Sequence, residues 1–172
     1  MNITGGIFNG RKIKSPDEKI VRPTLSKVRM SVFNSLYSEL GEFSGMSFLD
    51  MFGGSGVMGL EALSRGFEKV IVFEKNKTVA QVIKDNYKAL GLSPNLTIGD
   101  SLKLASKLDA EFDVVYIDPP YMSGIYGDSL KVIPPAKIVV LEHVVDVEFA
   151  GYELIKQKKY GDKYLSFLRK IS

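Results

Sequence analysis

From Met46 onwards, short apolar runs alternate with stretches of helical spacing, and this alternation constrains the fold more than any other feature of the sequence. The apolar runs predict strands, and the stretches between them predict amphipathic helices. Strands that alternate with helices form a mostly parallel sheet with helices on both faces. The predicted strands cover 46–51, 69–74, 95–98, 112–117 and 137–142, and the predicted helices cover 57–65, 77–90, 101–108 and 125–132.

The two ends of the chain depart from this alternation. Gly5-Gly6 and Asn9-Gly10 are turn signals that predict a β-hairpin over residues 2–14, and a helix follows at 24–39. Near the carboxyl end, the turn Gly161-Asp162 joins two more strands, 152–160 and 163–171, which should add an antiparallel strand at the edge of the sheet. The expected fold is α/β and Rossmann-like, a mostly parallel, twisted, seven-stranded sheet with helices on both faces, its last strand antiparallel, plus the amino-terminal hairpin.

Composition narrows the class of protein. No linker divides the 172 residues, so a single domain is expected over 1–172, with the hairpin and first helix in 1–40 and the core in 46–172. The chain has no cysteine, which excludes a disulfide framework and a thiolate nucleophile. It has one histidine, which excludes a multi-histidine metal site. No apolar run approaches the roughly 20 residues that span a bilayer, and the start lacks a signal-peptide pattern. We therefore expect a cytoplasmic, monomeric protein without a metal.

Basic residues concentrate at both ends of the chain. Residues 1–30 hold seven lysines and arginines against two acidic residues, and residues 152–172 hold six against two, while the middle holds ten against sixteen. Basic ends around an acidic centre would attract a polyanion if both ends lie on one face. The same pattern fits two solvated surfaces that bind no partner, and charge alone does not decide between the two.

The stretch from Asp50 to Gly59 follows the first core strand and opens the first core helix, with the spacing Gly54-x-Gly56-x-x-Gly59. Glycine is needed where the backbone turns tightly and lets a ligand approach without a Cβ atom in the way. The N–H groups at the start of the helix face the same space. Taken alone, this loop fits NAD as well as S-adenosylmethionine (SAM). Its candidate cofactor residues are Asp50, Phe52, Gly53, Gly54, Ser55, Gly56 and Gly59.

Acidic residues end the first three core strands. Glu74 ends the second strand, where a carboxylate can accept hydrogen bonds from both hydroxyls of a ribose, although a solvated carboxylate would give the same pattern. Asp50 ends the first strand; its charge suits the ammonium group of SAM and would repel a pyrophosphate, which favours SAM over NAD. Asp100 ends the third strand and could accept from an adenine amino group or simply form a turn. The remaining cofactor candidates are Lys75, Ser101 and Asp118.

The sequence Asp118-Pro119-Pro120-Tyr121 follows the strand 112–117 at the edge where open α/β sheets bind ligands. An exocyclic amine on a base is a poor nucleophile because its lone pair is delocalised into the ring. Asp118 and the Pro119 carbonyl can each accept one N–H bond and so hold the nitrogen with its lone pair available, and Tyr121 can stack on the base. These four residues are the catalytic candidates for methylation of an amino nitrogen. The alternative is a Pro-Pro turn with Tyr121 as packing.

With these residues together, the chain resembles class I SAM-dependent methyltransferases, and among them the RsmD-type guanine-N2 methyltransferases of small-subunit ribosomal RNA. The similarity lies in Arg22-Pro23-Thr24, in the glycine loop continued by Leu60-Glu61-Ala62-Leu63-Ser64-Arg65, in Asp118 to Tyr121 and in Glu142-His143. The resemblance implies SAM as cofactor, S-adenosyl-L-homocysteine as product, and a guanine of ribosomal RNA or of a ribosomal assembly particle as substrate. It also implies RNA contacts by Arg11, Lys12, Arg22, Thr24, Arg29 and Tyr121.

Other functions share parts of this pattern. An NAD-linked oxidoreductase would use the glycine loop and Glu74 but would leave Asp118 to Tyr121 unexplained. Methylation of a protein glutamine amide or of adenine N6 poses the same chemical problem, but relatives that act on glutamine usually carry Asn at the position of Asp118. Proteins that methylate DNA normally need extra residues to recognise its sequence. A non-catalytic RNA-binding relative would be expected to have lost Asp118, so methylation of an rRNA guanine is the favoured function.

Two further features are given structural roles. His143 follows Glu142 at the end of a predicted strand and is expected to be a polar strand-end residue, although it could touch a substrate. Glu61 and Arg65 are four positions apart in a predicted helix, so they are expected to form an exposed ion pair of little energetic weight.

Overall fold

The computed structural model describes residues 1–120 and 124–172. The elements follow one another in nearly the predicted order and with nearly the predicted bounds. The helices are α1 (Ser26–Leu40), α2 (Val57–Ser64), α3 (Lys77–Ala89), α4 (Ser101–Ser106) and α5 (Tyr126–Val132); the strands are β1 (Ser47–Asp50), β2 (Lys69–Glu74), β3 (Asn95–Ile98), β4 (Phe112–Ile117), β5 (Ala136–His143), β6 (Tyr152–Tyr160) and β7 (Lys163–Lys170). No described helix is long and apolar enough to cross a lipid bilayer.

The seven strands form one sheet in the order β3-β2-β1-β4-β5-β7-β6. The pairs among β1 to β5 are parallel, and β7 is antiparallel to both of its neighbours. The predicted α/β fold with a mostly parallel sheet is confirmed. The predicted antiparallel last strand is also confirmed; β7 pairs with β5 at the end of the parallel part, and β6 forms the edge beyond it. Leu165 to Leu168 of β7 are buried, whereas no residue of β6 is, as expected of an inner strand and an edge strand.

The core has two parts, one on each face of the sheet. Alternate residues of each central strand point to opposite faces, so that on β4 Val114 packs with α1, α2 and α3, while Val115 packs with α4 and α5. The apolar runs of the parallel strands are continuous because both faces are covered by helices. This packing fixes the strands, and their carboxyl ends therefore form a rigid edge on which polar residues can be held.

The amino-terminal segment pairs with itself as a short hairpin that is not long enough to count as two regular strands. Asn2 and Lys12 form an antiparallel bridge, and the N–H groups of Ile3, Gly10 and Ile13 donate to the carbonyls of Arg11, Ile3 and Met1 at 3.0, 2.8 and 2.9 Å. The turn of this hairpin packs on α2: Ile7 N–H donates to the Ser64 carbonyl at 2.8 Å, and the Ser64 hydroxyl donates to the Gly5 carbonyl at 2.5 Å. The hairpin is therefore held against the helix by backbone groups of its turn.

Candidate active site

A cleft of about 940 Å³ opens at the carboxyl edge of the sheet. It is lined by residues that follow β1, β2, β3 and β4, by the segment 18–24 that precedes α1, and by Lys163 at the start of β7. The carboxyl ends of parallel strands meet at one edge, so polar residues that are far apart in sequence come together there. The edge on which the sequence predicts ligand binding is the edge that carries the cleft.

The glycine loop forms one wall of the cleft through Phe52, Gly53, Gly54 and Ser55. Gly56 and Gly59 lie behind this wall. Gly56 has a φ of 79°, which other residues rarely adopt. A Cβ atom on Gly59 would lie 2.6 Å from the Tyr87 hydroxyl oxygen, so this glycine is needed for close packing of α2 on α3. Of the predicted glycine contacts, those of Gly53 and Gly54 are accessible to a ligand, whereas Gly56 and Gly59 shape the loop.

Glu74 lines the cleft with its carboxylate already fixed by the backbone. Oε1 accepts from the Gly54 N–H at 3.0 Å, and Oε2 accepts from the Asn76 N–H at 2.8 Å. Each carboxylate oxygen can accept a further hydrogen bond, so the group is held in place without using up its capacity. Lys75 lines the cleft next to it. An anchored acceptor of this kind can recognise neighbouring hydroxyl groups.

Asp50 lies beneath the loop and does not face the cleft. Its side chain is fully buried; Oδ1 accepts from the Phe52 N–H at 3.2 Å, and Oδ2 has no hydrogen-bond partner in the part of the chain that the structure describes. Burial raises the pKa of this carboxyl to about 7. The expected direct contact between Asp50 and an ammonium group stays a prediction, since Asp50 is not among the residues that line the cleft. In this structure Asp50 supports the loop from below.

Asp100 and Ser101 link the end of β3 to the cleft wall, and both line the cleft. Asp100 caps α4, since its Oδ1 accepts from the Lys103 N–H at 3.1 Å. Ser101 is buried and donates its hydroxyl to the Met51 carbonyl. The turn role that the sequence allowed for Asp100 is thus present, and Ser101 mainly ties α4 to the glycine loop.

Asp118 follows the last residue of β4 and lines the cleft together with Pro119 and Pro120. Its side chain is 19% exposed. Burial raises the pKa of Asp118 well above its ordinary value, the charge of Glu142 raises it further, and Lys163 opposes both. A carboxyl group with a perturbed pKa in a cleft is typical of a functional site. The fourth catalytic candidate, Tyr121, lies outside the described residues.

The structure adds three residues to this site that the sequence analysis did not assign. The Tyr116 hydroxyl donates to Glu142 Oε1, and Lys163 Nζ donates to Glu142 Oε2 at 2.5 Å. Lys163 Nζ also lies 3.8 Å from Asp118 Oδ1. Glu142 carried one available signal, because it is a charged residue that directly continues the buried apolar run of β5. Lys163 carried no such signal, since its place depends on β7 lying next to β5.

The residues predicted to contact RNA do not all lie together. Arg22 and Thr24 line the cleft. Arg11 is exposed, but its guanidinium donates to the Ala89 carbonyl at the end of α3, away from the carboxyl edge, and Lys12 is its exposed neighbour. The expectation for Arg29 is wrong, because its side chain is 1% exposed and pairs with Glu61 at 3.1 Å. A guanidinium held inside the core in this way cannot contact RNA.

Glu61 and His143 are also more buried than the sequence analysis expected. Glu61 is fully buried and accepts from Thr4 and Arg29, and its ion pair with Arg65 has an N–O distance of 3.6 Å, so the pair of Glu61 with Arg65 is not an exposed one. His143 is buried, with one ring nitrogen 2.8 Å from the Ser166 hydroxyl and the other 2.7 Å from the Val145 carbonyl. Across residues 1–120 and 124–172, no group of three or more His, Asp or Glu side chains could hold a metal ion.

Comparison with known proteins gives matches over nearly the whole chain. The family described as conserved hypothetical protein 95 matches residues 1–169. Ribosomal RNA small subunit methyltransferase D of Haemophilus influenzae is 30% identical over 176 residues, covering 94% of this chain and 89% of the relative. Protein YlbH of Bacillus subtilis is 32% identical over 159 residues, covering 86% and 85%. The solved structure of Escherichia coli yhhF, 24% identical, has a TM-score of 0.86 and covers 100% of this chain and 98% of its own.

Proposed function

The chain belongs to the conserved hypothetical protein 95 family, and on this premise we propose that it transfers a methyl group from SAM to the N2 amino group of a guanine in small-subunit ribosomal RNA. The Haemophilus influenzae relative is named a methyltransferase of small-subunit ribosomal RNA, which supports this class of RNA as the substrate. The fold is that of class I methyltransferases, to which the solved structures similar to this chain belong. The choice of atom and of base is supported by the chemistry of the cleft.

One observation carries the proposal: Asp118 and Pro119 face the same cleft as the glycine loop and Glu74. A group that accepts hydrogen bonds from an amino nitrogen thus lies across from a wall that suits a nucleoside cofactor. For methyl transfer, most of the rate should come from holding the two reactants in line, so this shared cleft is the main requirement. An oxidoreductase would have no use for two acceptors at the end of β4.

The residues of the cleft fit SAM. The Gly53 and Gly54 wall permits close approach of a ligand to the backbone, and the anchored Glu74 carboxylate would accept from ribose hydroxyls. Asp100 would accept from the adenine amino group with an oxygen not used in capping α4. When bound, SAM supplies an activated methyl group: the amino nitrogen forms the new N–C bond, the S–C bond breaks with its electron pair left on sulfur, and one N–H proton is released.

On the substrate side, Asp118 and the Pro119 carbonyl would accept the two N–H bonds of the guanine amino group. Accepting both bonds holds the nitrogen and draws its lone pair out of conjugation with the ring. Pro119 and Pro120 fix the backbone between β4 and the next segment, so the acceptors are oriented before the substrate arrives. The carboxylate of Asp118 would also be able to take up the proton that the nitrogen loses.

Methyl transfer to defined ribosomal particles tests this function. Small ribosomal subunits that lack guanine-N2 methylation are incubated with protein and SAM carrying a labelled methyl group, and the RNA is digested to nucleosides. We expect label in N2-methylguanosine, and none when the same subunits are already methylated at that base. Naked ribosomal RNA, tested in parallel, shows whether the assembled particle is required.

Two results would contradict the proposal. Label in N6-methyladenosine or in a ribosomal protein would leave a methyltransferase with a different substrate. A complete lack of label, together with clear SAM binding by calorimetry, would remove ribosomal RNA as the substrate.

Affinity for RNA should also fall steeply as salt is added, because Arg22 and the other basic residues near the cleft would displace counterions.

A further inference from the structure

Three charged side chains and one tyrosine form a buried network behind the substrate side of the cleft. Glu142 is at the centre and is fully buried; it accepts from the Tyr116 hydroxyl through Oε1 and from Lys163 Nζ through Oε2 at 2.5 Å. Lys163 is 14% exposed and its Nζ lies 3.8 Å from Asp118 Oδ1. The ammonium group therefore lies between two carboxylates, one buried and one facing the cleft.

The position of β7 creates this network. In the antiparallel pairing of β5 with β7, Glu142 lies opposite Leu165 and His143 lies opposite Tyr164. Lys163 starts β7 at the carboxyl edge, where β4 and β5 end side by side in parallel register. An antiparallel strand inserted at this place brings its first residue, rather than its last, to the active edge. Lys163 therefore reaches the cleft although it lies far along the chain from Asp118.

The arrangement holds more negative than positive charge. A buried and a partly buried carboxylate that share one ammonium cannot both be ionised without a cost, which falls on Asp118 because Glu142 has the closer lysine contact and the tyrosine donor. The charged and titratable groups facing Asp118 are Tyr116 from β4, Asp50 from β1, Glu142 from β5 and Lys163 from β7, and Glu18, Lys19, Arg22, Glu74, Lys75 and Asp100 line the same cleft.

We propose that Lys163, held in place by Glu142, is a positioning residue that keeps the Asp118 carboxylate ionised and directed into the cleft, and that Glu142 limits how strongly it does so. The role in methyl transfer rests on the proposed function, whereas the electrostatic coupling does not. A neutral Asp118 would have one oxygen that donates rather than accepts, and it could not take up the proton from the amino nitrogen. Lys163 therefore favours the ionised form of Asp118, and Glu142 disfavours it.

Opposite shifts in pH dependence test the proposal. Lys163→Gln removes the cation but leaves an N–H donor for Glu142, so the pKa of Asp118 should rise and the acidic limb of single-turnover methyl transfer should move to higher pH, by roughly 1–3 units. Glu142→Gln removes the competing charge, so the limb should move to lower pH. Lys163→Arg, which keeps the cation, should restore much of the wild-type profile.

The matched control is Lys137→Gln. Lys137 also pairs with an aspartate of β4, at 2.9 Å, but at the amino edge of the sheet. This control should leave the limb unchanged. Two results would overturn the proposal: a uniform loss of rate at every pH in Lys163→Gln and Glu142→Gln, or acidic limbs that move in the same direction in the two variants. Either result would mean that the two residues only support the fold.

A second measurement does not depend on any substrate. Titration of the aspartate carboxyl carbons by ¹³C NMR, with the Asp118 signal identified from its loss in Asp118→Asn, reports the ionisation of Asp118 directly in the unliganded protein. We expect its midpoint to rise in Lys163→Gln and to fall in Glu142→Gln. Unchanged midpoints would refute the coupling. Shifted midpoints in a protein that does not methylate RNA would support the coupling and refute the proposed function.

Discussion

Strand β4 has an aspartate near each end, and the two are held in opposite ways. Asp113, at the amino edge, accepts from the Ser47 N–H at 2.8 Å and from Lys137 at 2.9 Å. Burial alone would raise the pKa of Asp113, but the hydrogen bonds from Lys137 and Ser47 outweigh it and hold the pKa below its ordinary value. Asp118, at the carboxyl edge, has a raised pKa because burial and Glu142 outweigh Lys163.

The difference agrees with a structural role for Asp113 and with the role in the site that we propose for Asp118. The folded state favours the ionised form of Asp113, so this group adds stability above its unfolded pKa, near about 3.9, and that stability is lost as the pH falls through its folded pKa. The folded state disfavours the ionised form of Asp118, so this group subtracts stability above the same unfolded pKa. A carboxylate that weakens the fold and faces a cleft is best explained by its chemistry.

The largest effect should come from Asp118→Asn. Methyl transfer should fall by roughly 10²–10⁴-fold, because an amide is a weaker acceptor and cannot take up the proton. SAM affinity by calorimetry should stay nearly unchanged, and the unfolding midpoint at pH 7 should not fall, because the disfavoured charge is gone. Asp113→Asn, the same change at the other end of β4, is the control for activity. Normal turnover in Asp118→Asn would remove the mechanism.

A buried carboxylate outside the cleft shows whether burial alone explains Asp118. Glu61 is fully buried and pairs with Arg29, which is also buried. Glu61→Gln would leave the Arg29 charge without its partner, and we expect a loss of unfolding free energy of about 3–5 kcal/mol. Urea unfolding measures this loss. The rate of methyl transfer per folded molecule should stay at the wild-type value, because Glu61 does not line the cleft. A variant that is inactive but stable would mean that Glu61 and Asp118 do not differ in role as we propose.

The residues differ in how far the sequence could predict them. Asp118 was predictable because its chemistry lies in four consecutive residues at the end of a strong apolar run, and the resemblance that it helped to identify is confirmed by the family match. Lys163 was not, because its place depends on β7 entering the sheet between β5 and β6. A strand pattern in the sequence predicts that a strand is present, but it does not predict which strands lie next to it.

The burial of charged residues was the second feature that the sequence did not predict. Arg29 and Glu61 lie on predicted helices, and a charged residue on a helix is usually exposed. The structure buries both because each satisfies the other, together with Thr4 and the Asn2 carbonyl. Such pairs are recognisable only when the elements that carry them are known to pack together. The amino-terminal hairpin supplies two of these partners, and the sequence did not indicate that it packs on α2.

A smaller effect is expected for Asp113→Asn on stability. The variant loses a carboxylate that accepts from the Ser47 N–H, and we expect a loss of about 1 kcal/mol at pH 7. The difference from the wild type should shrink as the pH falls from the unfolded pKa of about 3.9 through the lower pKa of folded Asp113, since the carboxyl group becomes neutral over that range. Urea unfolding at pH 7 and at acidic pH measures both values. A difference that grows towards acidic pH would reverse the sign assigned to this end of β4.

The smallest effect should come from Lys137→Gln. The side chain of Lys137 is 64% exposed, and an exposed pair gains little because solvent and salt screen its charges. The unfolding midpoint and the rate of methyl transfer should both stay within experimental error of the wild type, at low and at high salt. Lys163→Gln removes a lysine at the other end of β4 that is more buried and also contacts Glu142, and it should change the pH profile. If the two variants behave alike, the buried charges at the carboxyl edge have no electrostatic consequence, and the contrast between the two ends of β4 is lost.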